Sequence, residues 1–396
     1  MAVSLDRLVR KEVALGAIRE MLPPNSHIGL QLVPFLDVAT DDVIFEYIKG
    51  GLQEGLAPAR AEDAEAELAQ KDELLFGTGR AAVIDWSLKD KYTASDVTRY
   101  REGLFLQQAT AGAISGGNLP LNFVGRTVDD FQSRLARHDA LRKRKLDNRI
   151  EWLITSALQT GKITYNDGKI KFAVDYGRPV DQQDVAPPGG LWGTAASDPI
   201  GDIIAMQLLM YDRYGVKPKR AIISLRAVHN LWKSDKFLAA VGMPVLAGAT
   251  TSIPLDPMYL GLSGYTPEGA LAIVERATGV KFTVYDGYYR TRAIGATTWA
   301  NTRFTADDKV IFLPDENDLG IVDDTQIGFG KVLTAPHPEG NWSSGWYEWE
   351  NETRDPWMTV RGSGIKAFPV FPYMEYSYVM DVLATSGTTV GGFYPM

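Results

Sequence analysis

The chain has 396 residues, 45% of them hydrophobic and 23% charged, with a formal charge of −8 and no cysteine. The apolar fraction is that of a folded protein and excludes wholesale disorder. The missing cysteines exclude disulfide frameworks, thiolate zinc sites, iron–sulfur clusters and cysteine nucleophiles, and the acidic balance argues against a general nucleic-acid binder.

Length predicts two or three domains of roughly 150 residues each. No run reaches the ~18 apolar residues of a membrane span. Asp6, Arg7, Arg10, Lys11 and Glu12 interrupt any apolar signal core. A soluble intracellular chain without membrane contact is expected.

Residues 4–22 have the spacing of an amphipathic helix, stopped by Pro23 and Pro24. Short extended runs follow over 28–48. Residues 51–80 are rich in Ala, Glu and Gly, and Glu62, Asp63, Glu65, Glu67, Asp72 and Glu73 stand there against Lys71. Ala82–Lys89 alternates loosely as a strand. Together these segments read as a long exposed excursion, which compact domains keep mainly for function or disorder.

Thr127–Thr160 is the longest helical candidate, with Phe131, Leu135, Leu146, Ile150, Leu153, Ile154 and Ala157 on one broad face and Gly161 as its stop. It carries Arg134, Arg137, Arg142, Lys143, Arg144, Lys145 and Arg149. Such a run suits a phosphate, a solvated face or an acidic partner surface. No aromatic interleaving or groove-reading motif favours nucleic acid.

Lys162–Tyr165 and Lys169–Asp175 flank Asn166-Asp167-Gly168, a hairpin signal. After a Pro/Gly/Gln-rich loop, Asp198-Pro199 caps a helix to about Tyr214, with Ile203, Ile204, Met206, Leu208, Leu209 and Met210 expected mostly buried. Arg220–Leu225, Val280–Tyr285 and Val310–Leu313 are expected strands and Arg226–Lys233 a helix, so this part is α+β or α/β. Residues 307–355 hold twelve acids against Lys309, Lys331 and Arg354. Trp342, Trp346, Trp349 and Trp357 crowd into sixteen residues, where packing, interface anchoring or stacking on sugars are alternatives. A final strand is expected over Phe368–Val382, and a mobile tail from Ala384.

Catalytic signals are sparse. His27, His138, His229 and His337 lack a helical partner for a metal. Gly328-Phe329-Gly330 and Gly362-Ser363-Gly364 match neither a phosphate loop nor a nucleophile elbow and read as turns. Asp315–Gln326 echoes a calcium loop without its bidentate glutamate. No catalytic, cofactor or metal residue is assigned.

Leu158–Tyr165 with Val174-Asp175-Tyr176-Gly177, then Phe312-Leu313-Pro314, then Asp355-Pro356 with Met358-Thr359-Val360 and Ala367-Phe368-Pro369-Val370 occur in an order that resembles the lambda phage major capsid protein E family. The resemblance covers most of residues 28–383. It implies an α+β Hong Kong 97 phage-type capsid fold with a long spine helix, an extended β-hairpin loop, and peripheral and axial domains. It divides the chain into an N-terminal arm (1–50), an extended loop lying across a neighbour (51–95), a peripheral domain (96–197, including spine 127–160, with return strands 335–385), an axial domain (198–334) and a mobile tail (386–396).

The implied function is structural and non-enzymatic. Pentamers and hexamers would self-assemble into an icosahedral shell around double-stranded DNA, in the virion, after assembly in the host cytoplasm. The main partner is another copy of the chain; a decoration protein, a scaffold and a portal are further partners the resemblance admits, with the DNA held near but not gripped. The six acids of 62–73, the seven basic residues of the spine, and Trp342, Trp346 and Trp349 are the expected inter-subunit contacts. Alternatives are an encapsulin-type nanocompartment shell and a soluble carbohydrate-active enzyme.

Overall fold

A computed structural model describes residues 27–49, 75–93, 95–96, 123–166, 170–240, 267–291, 298–319, 328–355 and 357–384. The predicted 4–22 helix, the acidic stretch 62–73, Asp167 and Gly168 of the hairpin turn, most of the calcium-like segment and the tail beyond Ala384 lie outside these residues.

The chain enters through a single helical turn, α1 (Gly29–Leu32), and a short strand, β1 (Phe35–Asp37). β2 (Asp42–Lys49) and β3 (Leu75–Ala82) pair antiparallel from Asp42↔Ala82 to Lys49↔Leu75, so the hairpin begins before residue 51. β4 (Asp85–Thr93) follows. It breaks from β3 at Val83 and Ile84 and takes its partner from a distant strand of a larger sheet, so the expected Ala82–Lys89 strand is divided.

α2 (Phe123–Thr160) is 38 residues long, about 57 Å at 1.5 Å per residue. Its described buried side chains include Leu135, Leu146, Ile150, Leu153, Ile154, Ala157 and Leu158. This recurrence at three and four residues puts them on one face. Gly161 terminates the helix with φ +68°, a conformation favouring glycine. β5 (Lys162–Asn166) and β6 (Lys171–Asp175) form the expected hairpin.

α3 (Pro199–Tyr214) starts as its sequence dictates: the Asp198 carboxylate accepts from the Gly201 N–H, Pro199 occupies the first turn, and Gly215 closes the end. Ile203, Met206 and Met210 are buried, whereas Ile204, Leu208 and Leu209 are 40%, 53% and 40% exposed. The expectation of a mostly buried set is corrected for those three. β7 (Arg220–Ile223), α4 (Leu225–Leu231), α5 (Asp235–Ala240), α6 (Pro267–Thr278), β8 (Lys281–Val284), β9 (Tyr288–Thr291), β10 (Ala300–Arg303) and β11 (Lys309–Leu313) complete this half.

β12 (Lys331–Thr334), the small β13 (Pro336–His337) and β14 (Ser343–Ser344), β15 (Trp346–Arg354), β16 (Trp357–Val370) and β17 (Tyr378–Asp381) return the chain to strand structure. The predicted strand over 368–382 is two. β16 passes through Pro369, and after Pro372 and a 3-10 turn at Met374–Tyr376 the chain enters a different sheet as β17.

Two sheets organise these elements. In the first, β16 pairs with β15 on one side and β4 on the other, and continues onto β12, which pairs in parallel with β1. The second has the order β17-β11-β7-β8. α2 packs on β16, β4 and β5, while α6 packs on α3 and α4. One buried apolar cluster links both sheets through Ile150, Ile154, Phe312, Val332, Phe368 and Val379.

Gly362 and Gly364 sit within β16, not in a turn. The Trp349 ring covers Gly362 and the Tyr347 ring covers Gly364: a Cβ would lie 2.1 Å from Trp349 Cζ2 and 2.5 Å from Tyr347 Oη. Two aromatics shield bare backbone that a side chain would otherwise occupy.

Candidate assembly surfaces and the ion cluster beneath them

A buried set of charges joins the spine helix to the sheet. Asp139, Arg142, Lys143 and Asp147 recur at helical spacing on the lower face of α2, and all are buried. Arg142 Nη1 lies 2.6 Å from Asp90 Oδ2 on β4, and its Nε donates to Ser363 Oγ at 3.2 Å. Arg142 also pairs with Asp139. From β16, Arg361 Nη2 donates to Glu348 Oε1 at 3.2 Å, and its Nη1 stands 3.4 Å from Asp139 Oδ2. Lys143 binds Asp147 at 3.2 Å and places its ammonium 4.7 Å from the Trp346 ring centre.

Removing these charges from water costs several kcal/mol each, which pairing offsets only with good geometry. Asp147 is raised by burial, against the pull of Lys143. Glu348 is pushed up to about 7, first by burial and further by Asp139 and Glu350, while Arg361 and Arg142 pull the other way. Glu348 Oε2 has no hydrogen-bond partner among the described residues. Its charged form is thus the less favoured partner in the cluster.

Glu151, one turn onward, ties three parts of the chain together. Its Oε1 accepts from the Gly29 N–H at 2.9 Å and from the Tyr285 hydroxyl at 2.7 Å, and its Oε2 from the Leu30 N–H at 2.9 Å. The first amides of α1, otherwise unsatisfied, find their acceptor here. At the end of α2, Arg178 donates to the Leu158 carbonyl at 2.7 Å, to Gln183 Oε1 at 2.7 Å and to Ser377 Oγ at 2.9 Å.

The basic run of the spine therefore separates into distinct environments. Arg142 and Lys143 face inward and are neutralised within the chain. Arg149 is half-buried, 5.5, 5.3 and 5.1 Å from the ring centres of Trp86, Trp152 and Tyr165. Arg137, Arg144 and Lys145 are exposed. Arg134 lies on the helix, with its side chain outside the described set, as are the six acids of 62–73. The tryptophans divide too: Trp342 is 73% exposed, Trp346 faces Lys143, and Trp349 lies on the opposite face of β15.

Sequence reasoning passed over Asp90, Asp139, Glu151 and Arg361. The pairs Asp139/Arg142 and Lys143/Asp147 carried a signal at i,i+3 and i,i+4. The partners on β4 and β16 carried none. Among the described residues no cluster of acids or histidines could hold a metal, and no helix is long and apolar enough to cross a membrane.

The putative capsid protein of a prophage from Escherichia coli CFT073 superposes with a TM-score of 0.50 at 14% identity, over 94% of this chain and 97% of that one. A phage-related protein from Bordetella bronchiseptica RB50 gives 0.46 at 14% identity, over 94% and 97%. The capsid of Myoviridae phage XM1 gives 0.42 at 13%, over 87% and 86%. Among curated proteins no sequence matches.

The fold is that of the Hong Kong 97-like phage capsid shell proteins. The model of the phage major capsid protein E family matches residues 15–322, and the chain belongs to that family. It is a structural protein of the phage capsid, acting as a shell of many copies in the virion.

Proposed function

We propose that this chain assembles in the host cytoplasm as pentamers and hexamers of an icosahedral shell enclosing the double-stranded DNA genome, without catalytic activity. The family match over residues 15–322 carries the reading. Of the arm 1–50 and the loop 51–95, β1 and β4 stay paired within this chain's own sheet, so the crossing part lies between them, while 96–197 with 335–385 form the peripheral domain, 198–334 form the axial domain, and 386–396 trail. A decoration protein, a scaffold and a portal complete the particle.

Segregated charge supports the arrangement. Glu62, Asp63, Glu65, Glu67, Asp72 and Glu73 oppose Arg137, Arg144 and Lys145 in sign, and complementary charge fixes register between copies more than it adds affinity. Electron microscopy of purified particles tests the shell, and nuclease protection tests its content. Particles filled with protein instead of DNA, or a chain that stays monomeric or dimeric, would overturn the reading. Assembly yield is expected to fall between about 50 and 500 mM salt, where screening weakens exposed pairs. An unchanged yield would remove the electrostatic part.

A further inference from the structure

A groove of about 730 Å³ lies between the outward side of α2 and the β9–β10 hairpin. Leu141, Arg144 and Lys145 recur at i, i+3 and i+4 along one side of the helix and form one wall. Tyr288 and Arg290, two residues apart on one face of β9, form the other with Trp299. All six are exposed, Tyr288 and Trp299 to 57% and 60%. No ion pair among the described residues engages Arg144, Lys145 or Arg290. Asp286, the acid in the lining, is bound by Arg303 and accepts from the Leu225 N–H. The groove therefore sets three cations and two aromatic rings beside one acid that is already paired.

The basic run of the spine has no aromatic residue between Arg134 and Arg149, which by itself argues against nucleic acid. The fold supplies the rings from β9 and from the residue before β10. Cations that follow phosphates, beside rings on which bases stack, are the two parts of a single-strand site. We propose that this groove binds single-stranded nucleic acid, with phosphates on Arg144, Lys145 and Arg290 and bases on Tyr288 and Trp299.

A duplex keeps its base faces stacked on one another, so it could use the cations but not the rings. An acidic protein segment would also meet the cations and leave both rings without a flat partner. The net charge of −8 repels a polyanion from the rest of the surface and keeps the contact weak and salt-labile. The site lies within one subunit, so this inference goes beyond the shell reading and does not depend on it.

Fluorescence anisotropy with unassembled full-length protein tests the site, using labelled oligo-dT, oligo-rU and a duplex, each of about twelve nucleotides. The single strands are expected to bind more tightly than the duplex. Their log Kd is expected to rise with log salt at a slope of about 2, for three phosphates at about 0.7 each. Trp299→Ala is expected to weaken binding about tenfold, and Trp299→Phe to keep most of it. Arg144→Gln with Lys145→Gln is expected to bring the slope down to about 0.7. Either strand fits the proposal, and a preference between them names the source as genome or transcript. A duplex that binds as tightly as a single strand, or variants with unaltered affinity and slope, would overturn it. So would poly-glutamate that displaces the strand as well as a second strand does, an outcome that assigns the groove to an acidic protein segment.

Should a variant fail to fold, photocrosslinking needs none. Wild-type protein irradiated with an oligonucleotide carrying bromodeoxyuridine is expected to be marked on peptides that contain Tyr288 or Trp299. Marks confined to other peptides, or no marks, would overturn the proposal.

Discussion

Replacing Gly362 with alanine is expected to destabilise the protein even though its backbone suits an ordinary strand residue. In an open strand the change would stabilise by about 0.4–1 kcal/mol, because the unfolded chain loses freedom. Here the new Cβ would sit 2.1 Å from Trp349 Cζ2 and 2.3 Å from Cε2. Carbon atoms pack at about 3.5 Å, so the indole must shift by about 1.4 Å. That ring stacks at 5.7 Å on Tyr347, which stacks at 3.9 Å on His337, so the shift meets a filled column. Overpacking of this kind costs about 1–3 kcal/mol, giving a net loss centred on about 1.3 kcal/mol, within about 0–2.6 kcal/mol. Urea titration of unassembled protein, followed by far-UV circular dichroism, reads it as a lower midpoint at constant slope. In a Trp349→Ala background the same substitution should become neutral or stabilising. An equal loss in both backgrounds would show that the backbone, not the ring, sets the cost, and would refute the reasoning.

Glu348 predicts a pH dependence. Its carboxyl titrates near 7 when folded against 4.5 unfolded, so its neutral form contributes stability that is present below about 4.5 and lost as pH rises through 7. The contribution is on the order of 3 kcal/mol, and Glu348→Gln should flatten the midpoint-versus-pH curve over that window; parallel curves would contradict this. Glu151→Gln turns one acceptor toward an amide as a donor and should cost about 1–3 kcal/mol, with faster hydrogen exchange at Gly29 and Leu30. Tyr285→Phe removes a single bond to the same carboxylate and should leave those two amides protected; equal exchange in both variants would deny Glu151 its anchoring part.

Local signals in the sequence were reliable where one element decides its own form. The Asp198-Pro199 start of α3, the Gly161 stop of α2 and the β5–β6 hairpin followed from capping and turn chemistry within a few residues. The helix predicted from Thr127 begins at Phe123, a frayed boundary of the ordinary kind. What failed depended on distant partners. Gly362-Ser363-Gly364 reads as a turn until Trp349 and Tyr347 are laid across it. Ile204, Leu208 and Leu209 look buried because α3 is apolar around most of its circumference, and only packing reveals the side left open. The spine's basic run looked uniform, yet Arg142 turns inward to Asp90 and Glu348 on strands far away in sequence, and Lys143 to Asp147 one turn along and the distant Trp346 ring.

The order of pairing in the first sheet sets a timetable for synthesis. β1 at Phe35–Asp37 finds its partner at Val332–Thr334, and β4 at Asp85–Thr93 finds its partner at Met358–Lys366. Both strands leave the ribosome early and wait for nearly the whole chain. At about 5–20 residues per second, a nascent chain spends on the order of 20–80 s without a finished sheet. During that interval the long edge of β4 is unpaired and open to wrong strands. A newly made subunit thus cannot present a completed platform to its siblings until translation is almost over, and the interval is one in which holdase chaperones have a substrate.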